Sequence, residues 1–252
     1  MQEYLVSGET LPSAYHRALL KLSQYGRVYP CPDYNTTQKE ISITIHVENA
    51  LKEPMISRLF IGGARELEQY RQEILYGIMD FEVEKGNWDY TYHQRMEEQF
   101  QFILDELRRN PDSRRAVIDV RDWRLDVTKD SPPCLQHIQY FIRDNKLHCK
   151  VLFRSNDACK AAFMNMFALI MLQKEFADKL GYEVGSYSHK ANSFHAYEKD
   201  FDLLNSYVNR ISALGAVTYD YVGDWQDAME SAQADIAAAV NSLKTCVNYP
   251  RP

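Results

Sequence analysis

Between Glu40 and Val47, Ile41, Ile43, Ile45 and Val47 alternate with polar residues. That period predicts a strand with one buried face. Its Ser, Thr and His face is free to meet a site or a partner. Helical spacing comes earlier, over Leu11 to Gln24, with Tyr15, Ala18, Leu19 and Leu22 on one stripe and Gly26 at the end. The proline-bearing stretch Arg27 to Thr37 reads as irregular. Helices are predicted over Arg65 to Ile78, Met96 to Arg108, Ala158 to Leu180 and Phe201 to Leu214. The charged run Asp80 to Asp89 and the segment Trp123 to Ser131 read as loops. Strands are predicted over Ala116 to Val120, Leu135 to Arg143 and Leu147 to Phe153, the last two joined at Asp144-Asn145-Lys146 as a hairpin. Two short strands follow, Tyr182 to Tyr187 and Ser193 to Tyr197. The Ala-rich segment Asp224 to Leu243 reads as a helix added onto the body.

Strands and helices mix without regular βαβ alternation, and no repeat or low-complexity linker interrupts them. The expectation is one α+β domain over 1–252: a large mixed sheet flanked by helices, with 224–252 as a C-terminal helical extension. A chain of 252 residues can bury a substantial core. The net charge of −6 argues against a general nucleic-acid binder, DNA included, because no basic excess is available for phosphates. A local arginine pocket for one small phosphate remains open. The 17 tyrosines suggest polar-tipped aromatic walls. Cys31, Cys134, Cys149, Cys159 and Cys246 form no C-x-x-C pair, so neither a zinc site nor a disulfide framework is indicated. With no signal peptide and no apolar run near 18 residues, the chain reads as cytosolic and reduced, away from membranes.

Cys134 follows Pro132-Pro133, which preset its direction at a strand start. It is either a buried structural cysteine or a nucleophile. The second reading needs a cation nearby, and Arg154 supplies one if the two strands pair. Ser155 adds a hydroxyl donor for an anion held there. Glu66 is either a first-turn carboxylate favoured by the helix dipole or an acid/base group. Arg114 and Arg115, at a turn-to-strand junction, are either solvated or part of an anion clamp.

The order Asn110-Pro111-Asp112-Ser113-Arg114-Arg115, Pro133-Cys134, Arg154-Ser155-Asn156-Asp157, Asn165 and His195-Ala196-Tyr197 resembles the thymidylate synthase family, from about Ile41 to Asp202. PCLQ, RSND and the short length are most similar to its archaeal-type and nucleotide hydroxymethylase branch. The resemblance implies transfer of a one-carbon unit from 5,10-methylene-tetrahydrofolate, or a related pterin, to carbon 5 of a uridylate, with no metal. Cys134 would add to carbon 6, making carbon 5 nucleophilic. Arg154 would lower the thiol pKa and, with Ser155, hold the phosphate. Arg114 and Arg115 would reach the phosphate bound by a partner subunit, which implies a homodimer packed through its sheet. Asp157 would hold folate-side hydrogen bonds, Glu66 would act as general acid/base, and Tyr92 would assist removal of the carbon 5 proton. His195 and Tyr197 would bind a sugar hydroxyl. Asn165, a carboxamide, suits uracil, whereas the cytosine-specific relatives carry an aspartate.

The sequence departs from the family pattern at several places. Leu135 replaces the histidine after the nucleophile. Lys160 to Asn165, KAAFMN, replaces LGLPFN. Ser193 stands where synthases have an acid, as in hydroxymethylases. The terminus reads Tyr249-Pro250-Arg251-Pro252, and Arg27 is the nearest counterpart of an N-terminal phosphate arginine. The expected activity is thymidylate synthase (dUMP to dTMP). The alternatives are a uridylate or cytidylate 5-hydroxymethylase, or a non-catalytic nucleotide- or RNA-binding member of the family.

Overall fold

A computed structural model describes residues 2–215 and 217–245; Cys246 and Tyr249–Pro252 lie outside them. The chain runs β1 (Glu3–Gly8), α1 (Leu11–Tyr25), β2 (Arg27–Cys31), β3 (Thr36–Val47), β4 (Ile56–Ser57), α2 (Ala64–Tyr76), α3 (Phe81–Glu84) and α4 (Tyr92–Arg109). It continues through β5 (Val117–Asp119), α5 (Trp123–Asp126), β6 (Leu135–Arg143), β7 (Lys146–Phe153), β8 (Asn156–Asp157) and α6 (Ala162–Leu180). Then come β9 (Glu183–Tyr197), α7 (Phe201–Leu214), β10 (Thr218–Tyr219) and α8 (Gln226–Thr245).

The main sheet has the order β1-β3-β9-β7-β6-β5, with β2 also on β3 and β8 also on β9. It is mixed: β1 with β3 and β7 with β9 are parallel, the other neighbours on that path antiparallel. The alternation in β3 does what it predicts. Ile41, Ile43, Ile45 and Val47 are buried, while Thr44 and His46 turn to the opposite, half-open face. There His46 bonds Ser188 and His148 bonds Ser186, each at 2.9 Å. Helix α6 is apolar on nearly every side and packs against both the sheet and α2. The β6–β7 turn has Asp144 and Asn145 at φ 50° and 60°, as a tight two-residue hairpin demands.

Several segments differ from the sequence expectation. The Arg27–Thr37 stretch is a hairpin: β2 pairs antiparallel with β3 around a short 3-10 turn. Its prolines read as breakers, yet Pro30 sits on an edge strand, where no ladder donor is needed. The two short strands near the end are one continuous β9 of 15 residues, because β3 lies along one edge and β7 and β8 along the other. A bulge inserts one residue of β9 opposite Ser42, so the apolar core-side positions change from odd (Tyr187, Ala191) to even (Phe194, Ala196), and His195 between the last two is buried as well. Short helical turns, α3 and α5, interrupt the two predicted loops. Helix α6 begins at Ala162 rather than 158, because Asp157 accepts the N–H groups of Cys159 and Lys160 and holds a turn there. Helix α8 packs on α2, and Gln233 reaches Glu68 at 3.0 Å.

Two of the buried histidines, His16 and His189, are strongly shifted by their burial. His16 meets Ser57 at 2.7 Å, and burial pushes its pKa down to about 4. His189 lies between Tyr187 and Asn156, stacks on Phe153 at 4.7 Å, and is pushed down to about 3. Both stay neutral in the fold but take protons in the unfolded chain near pH 6.5. Stability is therefore complete above that value and is lost as pH falls toward 4 and 3. The expected outcome is a urea midpoint that drops between pH 7 and 4.5. His16→Gln, which keeps a partner for Ser57, should shrink that drop by roughly 2 kcal/mol.

Candidate active site

The site gathers where β6 begins and β7 ends. Leu135 pairs with Phe153, so Cys134 and Arg154 stand side by side just beyond the ladder. The Arg154 N–H donates to the Cys134 carbonyl at 2.8 Å. Its guanidinium donates to the carbonyls of Pro133 (3.1 Å) and Pro132 (2.7 Å). One cation thus fixes the bend that carries the thiol. An extra residue in β6, Gln136, bulges the strand next to Cys134, and its side chain donates to Pro133 at 2.7 Å. Burial pushes the Cys134 thiol up and Arg154 pulls it down; burial prevails, so the thiol lies above its ordinary range. The arginine acts in the expected direction without making a free thiolate at rest.

An aromatic shell surrounds this end of the strand. Thr91 caps α4 and sets Tyr92 as its first residue. The Tyr92 hydroxyl accepts the Leu135 N–H at 3.4 Å, and its ring meets the edge of Phe153 at 6.4 Å. Tyr90 lies 5.7 Å from Tyr92. Asn165, 5% exposed on α6, accepts from the hydroxyl of Tyr70 on α2. A charge on the Cys134 sulfur would be felt at Tyr70, Tyr90 and Tyr92, each of whose phenols it pushes upward along with burial.

The second wall is β8 against β9, with Asp157 opposite His195. Ser155 is 3.5 Å from His195 Nδ1. Burial lowers the His195 pKa, and the Asp157 carboxylate works against it. Among the described residues His195 Nε2 has no partner although it is buried. Tyr197 meets the His195 ring at 4.8 Å and Tyr34, at the β2–β3 turn, at 5.3 Å. The Cys134 and Asp157 charges both reach Tyr197.

Other expected residues stand apart. Glu66 is exposed and turns back to accept the Gly63 N–H at 2.8 Å, the helix-capping arrangement. Among the described residues no contact joins it to Cys134, Tyr92 or Asn165. Arg114 and Arg115 are exposed around a concavity of about 700 Å³ beside Asn110 and Ser113. The ladder places Arg115 level with Phe141, seven residues along β6 from Cys134, which is about 23 Å. They do not reach the thiol of their own chain.

Two residues are added by the structure. Tyr70 is one. The other is Glu73, in a cavity of about 200 Å³ with Tyr70, Trp88, Tyr90 and Tyr92. Burial pushes its carboxyl up, while Gln69 donates to one oxygen at 3.0 Å. The available signal was an acid on the same stripe of α2 as Tyr70 and Ile74. A larger cavity of about 580 Å³ between α2, α6 and α8 contains none of the expected residues.

The thiol environment has a direct test. Peptide-resolved alkylation of Cys134 by iodoacetamide should inflect above the ordinary thiol range, and Arg154→Gln should move the inflection further up. An inflection at or below pH 8 would contradict this balance of burial and charge.

The thymidylate synthase family model matches residues 66–235. A Methanocaldococcus jannaschii protein named "Putative thymidylate synthase" is 32% identical over 213 residues, 79% of this chain and 93% of that protein. A thymidylate synthase of Bacillus licheniformis is 31% identical over 127 residues, 50% of this chain and 45% of its own. Among solved structures, thermostable thymidylate synthase A from Bacillus subtilis matches with a TM-score of 0.66 at 18% identity, covering 79% of this chain and 84% of that one, and so shares the fold. With the family match spanning most of the sheet and the helices around Cys134, the chain belongs to the thymidylate synthase family of one-carbon transferases.

Proposed function

We propose that this protein places a one-carbon unit on carbon 5 of a uridylate through a Cys134 adduct at carbon 6, and that it is a thymidylate synthase making dTMP from dUMP. The observation that carries this reading is the convergence of Cys134, Arg154 and the Tyr70–Asn165 pair at the open end of β6. The Cys134 sulfur adds to carbon 6, and the displaced ring electrons move onto oxygen 4. Carbon 5 would then bond the one-carbon unit; loss of the carbon 5 proton would release that unit from its carrier nitrogen as an exocyclic methylene on the ring, and hydride from the carrier would add to this methylene as the sulfur leaves carbon 6 and the ring double bond re-forms. With the thiol raised by burial at rest, its proton has to leave as the sulfur adds to carbon 6.

Arg154 and Ser155 bind the phosphate. Asn165 reads the uracil edge. The unpartnered His195 Nε2, with Tyr197, takes the sugar hydroxyl, which would satisfy a buried polar atom. Asp157 fixes the turn before α6 and faces the same space. We assign the acid/base role to Glu73 in preference to Glu66. Burial raises the Glu73 carboxyl among the aromatic rings of its cavity, whereas Glu66 is exposed and engaged with the Gly63 N–H as a helix cap. Tyr92 assists removal of the carbon 5 proton.

Trp88, Tyr90 and Tyr92 present flat aromatic walls, and Glu73 an acceptor. That donor set suits a stacked heterocycle bearing N–H groups, which is pterin chemistry. Bound there, 5,10-methylene-tetrahydrofolate supplies the carbon and, in a synthase, the hydride. Arg114 and Arg115 complete the phosphate clamp of a partner subunit, a role their distance from their own thiol permits. The half-open polar face of β3, β9 and β7 is the surface through which the homodimer would pack.

A second reading, uridylate 5-hydroxymethylase, is favoured by one feature. Lys160, paired with Asp200 at 2.5 Å, puts a charged, partly exposed group on the turn before α6, which favours water near the one-carbon unit. Mass spectrometry of the product from dUMP and 5,10-methylene-tetrahydrofolate separates the two: dTMP is expected, and 5-hydroxymethyl-dUMP would select the alternative. Cys134→Ala should abolish both. Tritium release from 5-labelled dUMP should fall by about 10²- to 10⁴-fold in Glu73→Gln and change by only a few-fold in Glu66→Gln. The reverse ranking would return the role to Glu66.

A further inference from the structure

A carboxamide offers one acceptor and two donor hydrogens, and half a turn about its last torsion exchanges the two ends. Uracil presents an acceptor at position 4 and a donor at N3. Cytosine presents the opposite pair. A single asparagine therefore accepts either base, and its orientation decides which.

Asn165 is not free to choose. Its amide is buried, and its Oδ1 accepts from the Tyr70 hydroxyl. Among the described residues Asn165 is the hydroxyl's one hydrogen-bond partner. Turning the amide over would bring Nδ2 against that hydroxyl and leave the phenolic proton of the half-buried Tyr70 without its partner, which disfavours the turned amide. An amide oxygen has two lone pairs. Tyr70 occupies one, and the other joins the Nδ2 hydrogen to form an edge with donor and acceptor in fixed order. The phenol keeps its proton throughout the working range, since burial and the nearby Glu73 both raise it. Tyr70 comes from α2 and Asn165 from α6, 95 positions apart, so the lock is a product of helix packing.

We propose that Tyr70 is the positioning residue that sets base specificity: by holding the Asn165 carboxamide in one orientation, it admits a 4-oxo pyrimidine nucleotide and refuses a 4-amino one. The inference rests on the reading above, in which Asn165 meets the base.

The test is equilibrium binding of dUMP and dCMP, by calorimetry, to the wild-type protein and to Tyr70→Phe, after thermal unfolding has shown the variant folded. Wild type should favour dUMP. In Tyr70→Phe the preference should shrink about tenfold or more, mainly because dCMP binds better. Equal weakening of both nucleotides, or an unchanged ratio, would overturn the proposal and leave the reading of Asn165 standing. Binding of neither nucleotide to wild type would instead sink that reading, and this inference with it. Where Tyr70→Phe fails to fold, 4-fluorophenylalanine at position 70 keeps the ring's shape without the donor and carries the same comparison. Placing 4-aminophenylalanine there returns a donor and should restore the preference, which a merely structural role does not predict.

Discussion

The guanidinium of Arg154 donates to two consecutive proline carbonyls, and the geometry around the thiol depends on that contact. Pro132 and Pro133 have no N–H to tie their bend into the β6–β7 ladder. The only way to fix such a segment is through its carbonyls, and a planar cation with five donors does this from one side. Once the bend is set, Cys134 lies within electrostatic reach of Tyr70 on α2, Tyr92 on α4 and Tyr197 on β9. The same cation offsets part of the burial of the sulfur. Position and reactivity are thus coupled through one side chain, and neither can be tuned without the other.

The site also shows how burial divides labour among acids of similar composition. Glu66 and Glu73 lie two turns apart on α2. One is exposed and caps the helix; the other is half-buried among aromatic rings, and burial raises its carboxyl above the ordinary range. Position along a motif does not distinguish them, whereas solvation does.

Much of the fold was legible because its signals are local. The Ile41–Val47 alternation, the stripes of α1 and α4, and the Asp144-Asn145 turn each carry their own periodicity or turn chemistry. What escaped depends on partners distant in sequence. β1 is too short to announce itself and forms only because β3 runs parallel beside it. β2 hides behind prolines that an edge tolerates. At the site, the cysteine-bearing and arginine-bearing motifs were readable as a set, as was Asn165. Tyr70 and Glu73 were not, since their significance arises when α2 packs across α6. Arg114 and Arg115 were visible as residues, but their distance from Cys134 follows only from the strand register.

The two bulges, in β6 beside Cys134 and in β9 beside Ser193, have a consequence for how such a site can change. A strand has two phases, and each bulge is a phase shift of one residue. Ahead of the shift in β9, odd-numbered side chains belong to the core; beyond it, His195 and Tyr197 are released from that face. The direction of these groups is thus encoded in a count of residues, not in their chemistry. A count changes only in whole steps. The strand ends that carry the thiol and the imidazole cannot drift gradually toward a new geometry by substitution: they keep their aim until a residue is gained or lost, and then reverse it entirely.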